Sequence, residues 1–157
     1  MTVDGSAALT QGSLPLVVID TNIVLDLFIF NDPRCAALKL ALQNQQLRWI
    51  STQVMRDELE RVLAYSQLQP RMAFYAVTAQ QVLAQFNAHV HIHTTAARAV
   101  FVCKDEDDQK FIDLAAAHSA ILLSKDKAVL SMRKRLDRLG VAVSNQWLGK
   151  ASQIAQL

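Results

Sequence analysis

The run Leu14-Pro15-Leu16-Val17-Val18-Ile19-Asp20-Thr21-Asn22 constrains this chain most. Four consecutive apolar residues, three of them β-branched, leave no room for an exposed polar face. They predict a central strand of a parallel sheet covered on both sides. Asp20 falls at the carboxyl end of that strand, where open α/β sheets bind their ligands. Ile23, Val24, Leu25, Leu27 and Phe28 follow at once and predict a helix, with Thr21 and Asn22 as capping or ligand-holding polar residues at its start. Asp20 is therefore either a helix cap or a site residue, and other segments have to discriminate between the two.

The rest of the chain repeats this alternation. Asn31-Asp32-Pro33 starts a second helix that runs to about Gln46. Leu47–Ile50 predicts a second strand, closed by Ser51 and Thr52, whose hydroxyls suit the cap of a helix over 52–64. In that helix Met55, Leu59, Val62 and Leu63 form the apolar stripe. Glu58 lies at one edge of the stripe, Glu60 at the other and Asp57 nearly opposite, so Glu58 either points toward a cleft or is a solvated rim charge. Pro70 is expected to open one helix through Phe86. His89, His91 and His93 alternate with Val90 and Ile92, the pattern of a strand with three imidazoles on one face. Such a row does not converge on a metal without bending, so an edge strand with a half-exposed His face is the expectation.

Lys104-Asp105-Glu106-Asp107-Asp108 leads into the apolar Phe111-Ile112-Asp113-Leu114-Ala115. Acids in a first turn suit the helix dipole, which is explanation enough for most of them. Asp108, however, shares a face with Phe111, Ile112 and Ala115 and turns inward, where a carboxylate needs a cation. Ala120–Leu123 is another continuous apolar strand, and it delivers Ser124-Lys125-Asp126 at its end. A helix over Lys127–Leu139, a stop at Gly140, a strand Val141–Val143 and a turn around Trp147 complete the series.

Length and composition set the frame for these elements. The 157 residues fit one domain over 14–157, preceded by a flexible tail over 1–13 that carries Gly5, Ser6, Gly12 and Ser13. With 52% hydrophobic and 19% charged residues, and no apolar run near membrane-spanning length, the expectation is a soluble globule. No basic start with a long apolar core marks a secretory signal, and two cysteines, Cys35 and Cys103, make no disulfide framework. A cytoplasmic location follows. The net charge of +2 is small, yet Lys125, Lys127, Arg133, Lys134, Arg135 and Arg138 face only Asp126 and Asp137, a local excess that suits a solvated face or a nucleic acid.

Strands alternating with helices predict a three-layer α/β/α sandwich around a five-stranded parallel sheet. Asp20 and Asp126 then meet at strand ends, and Glu58 and Asp108 approach the same rim from helices. Carboxylates crowded in this way repel one another unless a hard divalent cation neutralises them, and oxygen ligands suit Mg²⁺ or Mn²⁺.

Four pieces of the chain, Val17-Val18-Ile19-Asp20-Thr21-Asn22, Glu58-Leu59-Glu60-Arg61-Val62-Leu63, Asp107-Asp108-Gln109-Lys110-Phe111-Ile112 and Ser124-Lys125-Asp126-Lys127, resemble in order the PIN-domain metal-dependent ribonucleases, especially their bacterial toxin-like branch. The resemblance implies a PIN-like fold and an Mg²⁺- or Mn²⁺-dependent endoribonuclease with Asp20, Glu58, Asp108 and Asp126 as acidic quartet and metal ligands. It implies Asn22 and Ser124 as supporting polar residues, and Lys104, Lys125 and Lys127 are expected to hold the RNA backbone. Two departures stand out: the residues after Asp126 lack the second Asp that relatives often place before the Leu, and Asp113 stands where Glu is common. Neither removes an acid of the quartet. The resemblance also implies an antitoxin partner and a homodimer, the latter supported by apolar residues on the helices over 33–46 and 70–86. A housekeeping RNA-processing nuclease and a non-catalytic binding module on the same fold are the alternatives. A phosphorylation receiver would need a lone acceptor Asp on a middle strand, and a haloacid-dehalogenase-type phosphatase would need Asp where Asn22 stands.

Overall fold

The computed structural model describes residues 14–149, so the tail expected over 1–13 lies outside the described residues. Leu16–Ile19 forms β1, and the alternation of its side chains decides the layering. Val17 and Ile19 enter one apolar core and Val18 enters the other, all but fully buried, as a strand covered on both faces requires. Trp49 and Ile50 of β2 (Arg48–Thr52) divide in the same way, as do Leu123 and Leu122 of β4 (Ile121–Leu123). With β3 (Val90–His93) and β5 (Val143–Ser144) the sheet has the order β3-β2-β1-β4-β5, and every pairing is parallel. β1 is central, and helices cover both faces, which is the three-layer α/β/α sandwich expected from the alternation of elements.

One core is closed by α1 (Thr21–Phe28), α2 (Ala36–Gln43), α3 (Gln53–Leu63), α4 (Gln69–Phe74) and α5 (Ala79–His89). The other is closed by α6 (Glu106–His118), α7 (Lys127–Leu130) and α8 (Arg133–Asp137). Asp32 caps a single 3₁₀ turn over Pro33–Cys35 before α2, and Thr52 caps α3 by accepting from Met55 N–H at 3.3 Å. Cys35 and Cys103 are free and buried.

Three expectations are corrected. The helix expected from Pro70 to Phe86 is two helices. Ala76 takes a left-handed φ of 54° and Val77 N–H reaches back to Met72 C=O, which ends α4. Thr78 and Gln81 then form a reciprocal capping box that starts α5. The helix over Lys127–Leu139 breaks at Ser131, whose hydroxyl donates to Ala128 C=O at 2.9 Å. The last strand starts two residues later than expected, because Gly140 at φ 78° turns the chain and the ladder to β4 pairs Leu122 with Val143.

Of the three histidines expected on one strand face, His91 and His93 lie two apart on β3, whereas His89 falls before the strand. His89 ends α5 and donates from Nδ1 to Gln85 C=O at 2.8 Å. His91 is exposed, and His93 is half-buried with its ring 4.8 Å from that of His118. β3 is an edge strand, as expected.

Candidate functional site

Parallel pairing of β1 with β4 brings two strand ends together, and the acids assemble there. Asp20 follows β1, and its N–H donates to Leu123 C=O at 2.9 Å, which extends the ladder by one residue. Its carboxylate is buried (5% exposed) and accepts from Ser124 Oγ at 2.6 Å, across 104 residues of sequence. Asp20 sits at the N-terminal boundary of α1, but its side chain makes no capping hydrogen bond. Ser124 is itself fully buried and accepts from Asp126 N–H at 3.0 Å, so one hydroxyl spaces the two acids. Asp126 also caps α7, accepting from Ala128 N–H at 2.8 Å.

Asp108 reaches the same rim from the first turn of α6. Phe111, Ile112, Leu114 and Ala115 anchor that helix at no more than 2% exposure. Each large side chain among them contributes about 1.5–3 kcal/mol by burial, enough to carry one carboxylate out of water. Asp108 is 7% exposed, Asp107 is exposed, and no N–H or O–H of the described residues reaches Asp108 Oδ2. A carboxylate oxygen from each of Asp105, Asp108 and Asp126 lies within 4.8 Å of the other two. Asp108 and Asp126 touch in a way that makes a hydrogen bond only when one of them holds a proton.

The electrostatics follow from this crowding. Burial raises the pKa of Asp108 to about 8, helped by the contact with Asp126 and by the charges of Asp20, Asp126 and Asp105. Burial also raises Asp20, against hydrogen bonds from Ser124 and the Thr21 backbone, with Glu58 and Asp126 adding repulsion. Such a set gains most from a divalent cation, and its all-oxygen donors and its unsatisfied Asp108 oxygen fit Mg²⁺ or Mn²⁺.

Glu58 stands at the edge of this group. Its Oε2 accepts from Thr21 Oγ1 at 2.7 Å, and its Oε1 pairs with Lys110 Nζ. Glu60 points to Arg56, on the exposed side of α3. Asn22 Oδ1 faces Lys125 N–H at 3.4 Å. Lys104 and Lys127 are exposed beside the rim. Lys125, expected at an RNA backbone, pairs its ammonium with Asp26 at 2.6 Å. The reason is burial, since Asp26 is 6% exposed on α1 and an ionised carboxylate there needs a cation.

Sequence reasoning missed Asp26, Asp105 and Lys110. Asp26 could have been found, because it interrupts an otherwise apolar helix four residues after Asn22 and so shares a face with it. Asp105 looked like one more first-turn acid. Its position depends on a loop without regular structure, which buried Gln109 fastens by accepting from Cys103 N–H at 2.6 Å and donating to Phe101 C=O at 3.2 Å. Two hollows among the described residues lie elsewhere. One of about 520 Å³ lies between Phe28, Val77, Gln81 and Gln85, and one of about 440 Å³ lies beside Arg48, His89 and His91. The acids line an open rim rather than either hollow.

A parallel sheet with acids gathered at the carboxyl ends of its central strands places this chain among the open α/β proteins, which bind their ligands at that rim. Residues 16–128 match the family profile of the PIN domain, and the chain belongs to that family. Its members are generally nucleases that bind divalent metals, so the chain is of a hydrolase kind with nucleic acid as its class of substrate. It is also 28% identical over 120 residues to MJ1680, an uncharacterized protein of Methanocaldococcus jannaschii, covering 74% of each chain. No helix among the described residues is long and apolar enough to cross a membrane.

Proposed function

We propose that this protein is an Mg²⁺- or Mn²⁺-dependent endoribonuclease. The observation that carries the reading is Asp108, a buried carboxylate whose Oδ2 has no hydrogen-bond donor and which is set against Asp126, Asp105 and Asp20. Asp20, Asp108 and Asp126, with Glu58 beside them, form the acidic rim that would hold the cation. A cation there supplies Lewis-acid chemistry, neutralising charge on the scissile phosphate and activating water for in-line attack. The chain's own residues do the positioning. Ser124 fixes the spacing of Asp20 and Asp126 by donating to one and accepting from the other. Thr21 and Lys110 hold Glu58, while Asn22 and the Lys125–Asp26 pair tie the loop after β4 to α1. Lys104 and Lys127 are free to contact the flanking RNA backbone as point charges.

The proposal extends to the biological setting: a cytoplasmic toxin paired with an antitoxin whose Arg or Lys reaches the rim acids, and a homodimer. The apolar side chains Leu40, Phe74 and Tyr75, at 57%, 82% and 42% exposure, support an interface on the α2 and α4 side. RNA cleavage by purified protein with and without Mn²⁺, beside Asp20→Asn, tests the enzymatic reading. Cutting that needs Mn²⁺ and vanishes in the variant supports it. Equal cutting by both would trace the activity to a contaminant. A monomer mass by light scattering at micromolar concentration would count against the dimer.

A further inference from the structure

We infer that the rim acids divide into two sets: Asp20, Asp105, Asp108 and Asp126 bind the cation, and Glu58 stands outside them as the anchor of Lys110. This rests on the proposed cation-dependent reading of the same rim and narrows its ligand set.

The division is visible in the partners. Both oxygens of Glu58 are engaged, one by the Lys110 ammonium and one by the Thr21 hydroxyl at 2.7 Å. Asp26 is likewise neutralised, by Lys125 at 2.6 Å. Among the described residues no Lys, Arg or His pairs with Asp20, Asp105, Asp108 or Asp126. The fold has thus supplied a cation to each of two acids near the rim and withheld one from four others.

Geometry points the same way. Oxygens of Asp105, Asp108 and Asp126 lie within 4.8 Å of one another. An octahedral Mg²⁺ shell spaces its oxygens by roughly 3 Å along an edge and 4.2 Å across, so small side-chain shifts suffice. Independently of that cluster, Asp108 is 7% exposed and its Oδ2 has no donor, an unsatisfied acceptor in the interior of the group. Recruiting Glu58 would set the cation beside the half-buried Lys110 ammonium that it already neutralises, a repulsion that none of the other four acids imposes. Recruiting Asp105 breaks no ion pair. Its other task, capping α6 by accepting from Asp107 N–H at 3.0 Å, engages Oδ1 and leaves a second oxygen.

Calorimetric Mn²⁺ titration of the full chain, with circular dichroism as the fold control, tests the division in wild type, Asp105→Asn, Asp108→Asn and Glu58→Gln. Asn keeps the cap of α6 and removes the charge, and Asp105→Ser serves if the Asn variant does not fold. The expected result is a loss of Mn²⁺ affinity of at least about tenfold for Asp105→Asn and Asp108→Asn, and less than about threefold for Glu58→Gln. Unchanged affinity in Asp105→Asn, or a loss in Glu58→Gln as large as in Asp108→Asn, overturns the inference and leaves the cation-dependent function standing. No Mn²⁺ uptake by wild type overturns both.

Discussion

Ser124 and Asp20, 104 positions apart, share a short hydrogen bond at the carboxyl rim of β1 and β4, whereas His89, His91 and His93, within five positions on or next to edge strand β3, find three different surroundings. Both regions collect groups able to ligate a metal. At the rim, neighbouring parallel strands end side by side and two helices aim into the gap, so groups from distant segments converge. Along β3, His91 and His93 are two apart and share a face, but the first histidine belongs to the preceding helix and the His93 ring packs against His118, so proximity in sequence does not bring the three together. Convergence at a strand end is a property of the fold, and a run of similar residues is not.

The largest effect that would break this comparison is on catalysis. Asp108→Asn and Asp20→Asn should each lower Mn²⁺-dependent RNA cleavage by several kcal/mol of transition-state stabilisation, on the order of 10³-fold, in single-turnover assays. An equal loss in His93→Asn would erase the distinction between the two regions.

The crowding at the rim also sets a pH dependence. In metal-free protein Asp108 titrates near 8, while the unfolded chain releases that proton near about 4. Between these values the folded state holds more protons than the unfolded state. Stability contributed by Asp108 therefore falls as pH rises through that window. Asp20, also raised, acts in the same direction. Urea denaturation in EDTA should show wild type losing stability relative to Asp108→Asn as pH rises from about 5 to about 8, and saturating Mn²⁺ should reverse the trend. No change with pH over that range would mean that Asp108 is ionised in the folded protein throughout.

Smaller effects sharpen the picture. Ser124→Ala leaves Asp20 and Asp126 N–H without their shared partner in a fully buried place and should cost about 1–3 kcal/mol in urea denaturation. Lys125→Met strands Asp26, but Lys125 is a third exposed, so a loss of about 1–2 kcal/mol is expected, with recovery in the double variant Asp26→Asn and Lys125→Met. His91→Ala, on an exposed position, should stay within about 0.5 kcal/mol and leave Mn²⁺ affinity unchanged.

What was legible in sequence follows the same line. The continuous apolar runs of β1 and β4 showed the sheet and the strand-end acids, because a strand buried on both faces has few other readings. The inward turn of Asp108 was legible from its spacing to Phe111, Ile112 and Ala115, and the burial of that face agrees. The breaks in two long helices were harder. Ala76 ends α4 in a left-handed conformation that its residue type does not advertise, although Thr78 with Gln81 carried a readable capping signature. The pairs Glu58–Lys110 and Asp26–Lys125 join separate elements, so no local pattern announces them. Asp105 was hidden among acids that a helix dipole already explains.

Anomalous diffraction from a crystal soaked in Mn²⁺ bears most directly on the claim that the rim, and not the histidines, is the cation site. A manganese peak bounded by carboxylate oxygens of Asp20, Asp105, Asp108 and Asp126 is expected. A peak at His91, His93 or His118 with the rim acids bare would contradict it.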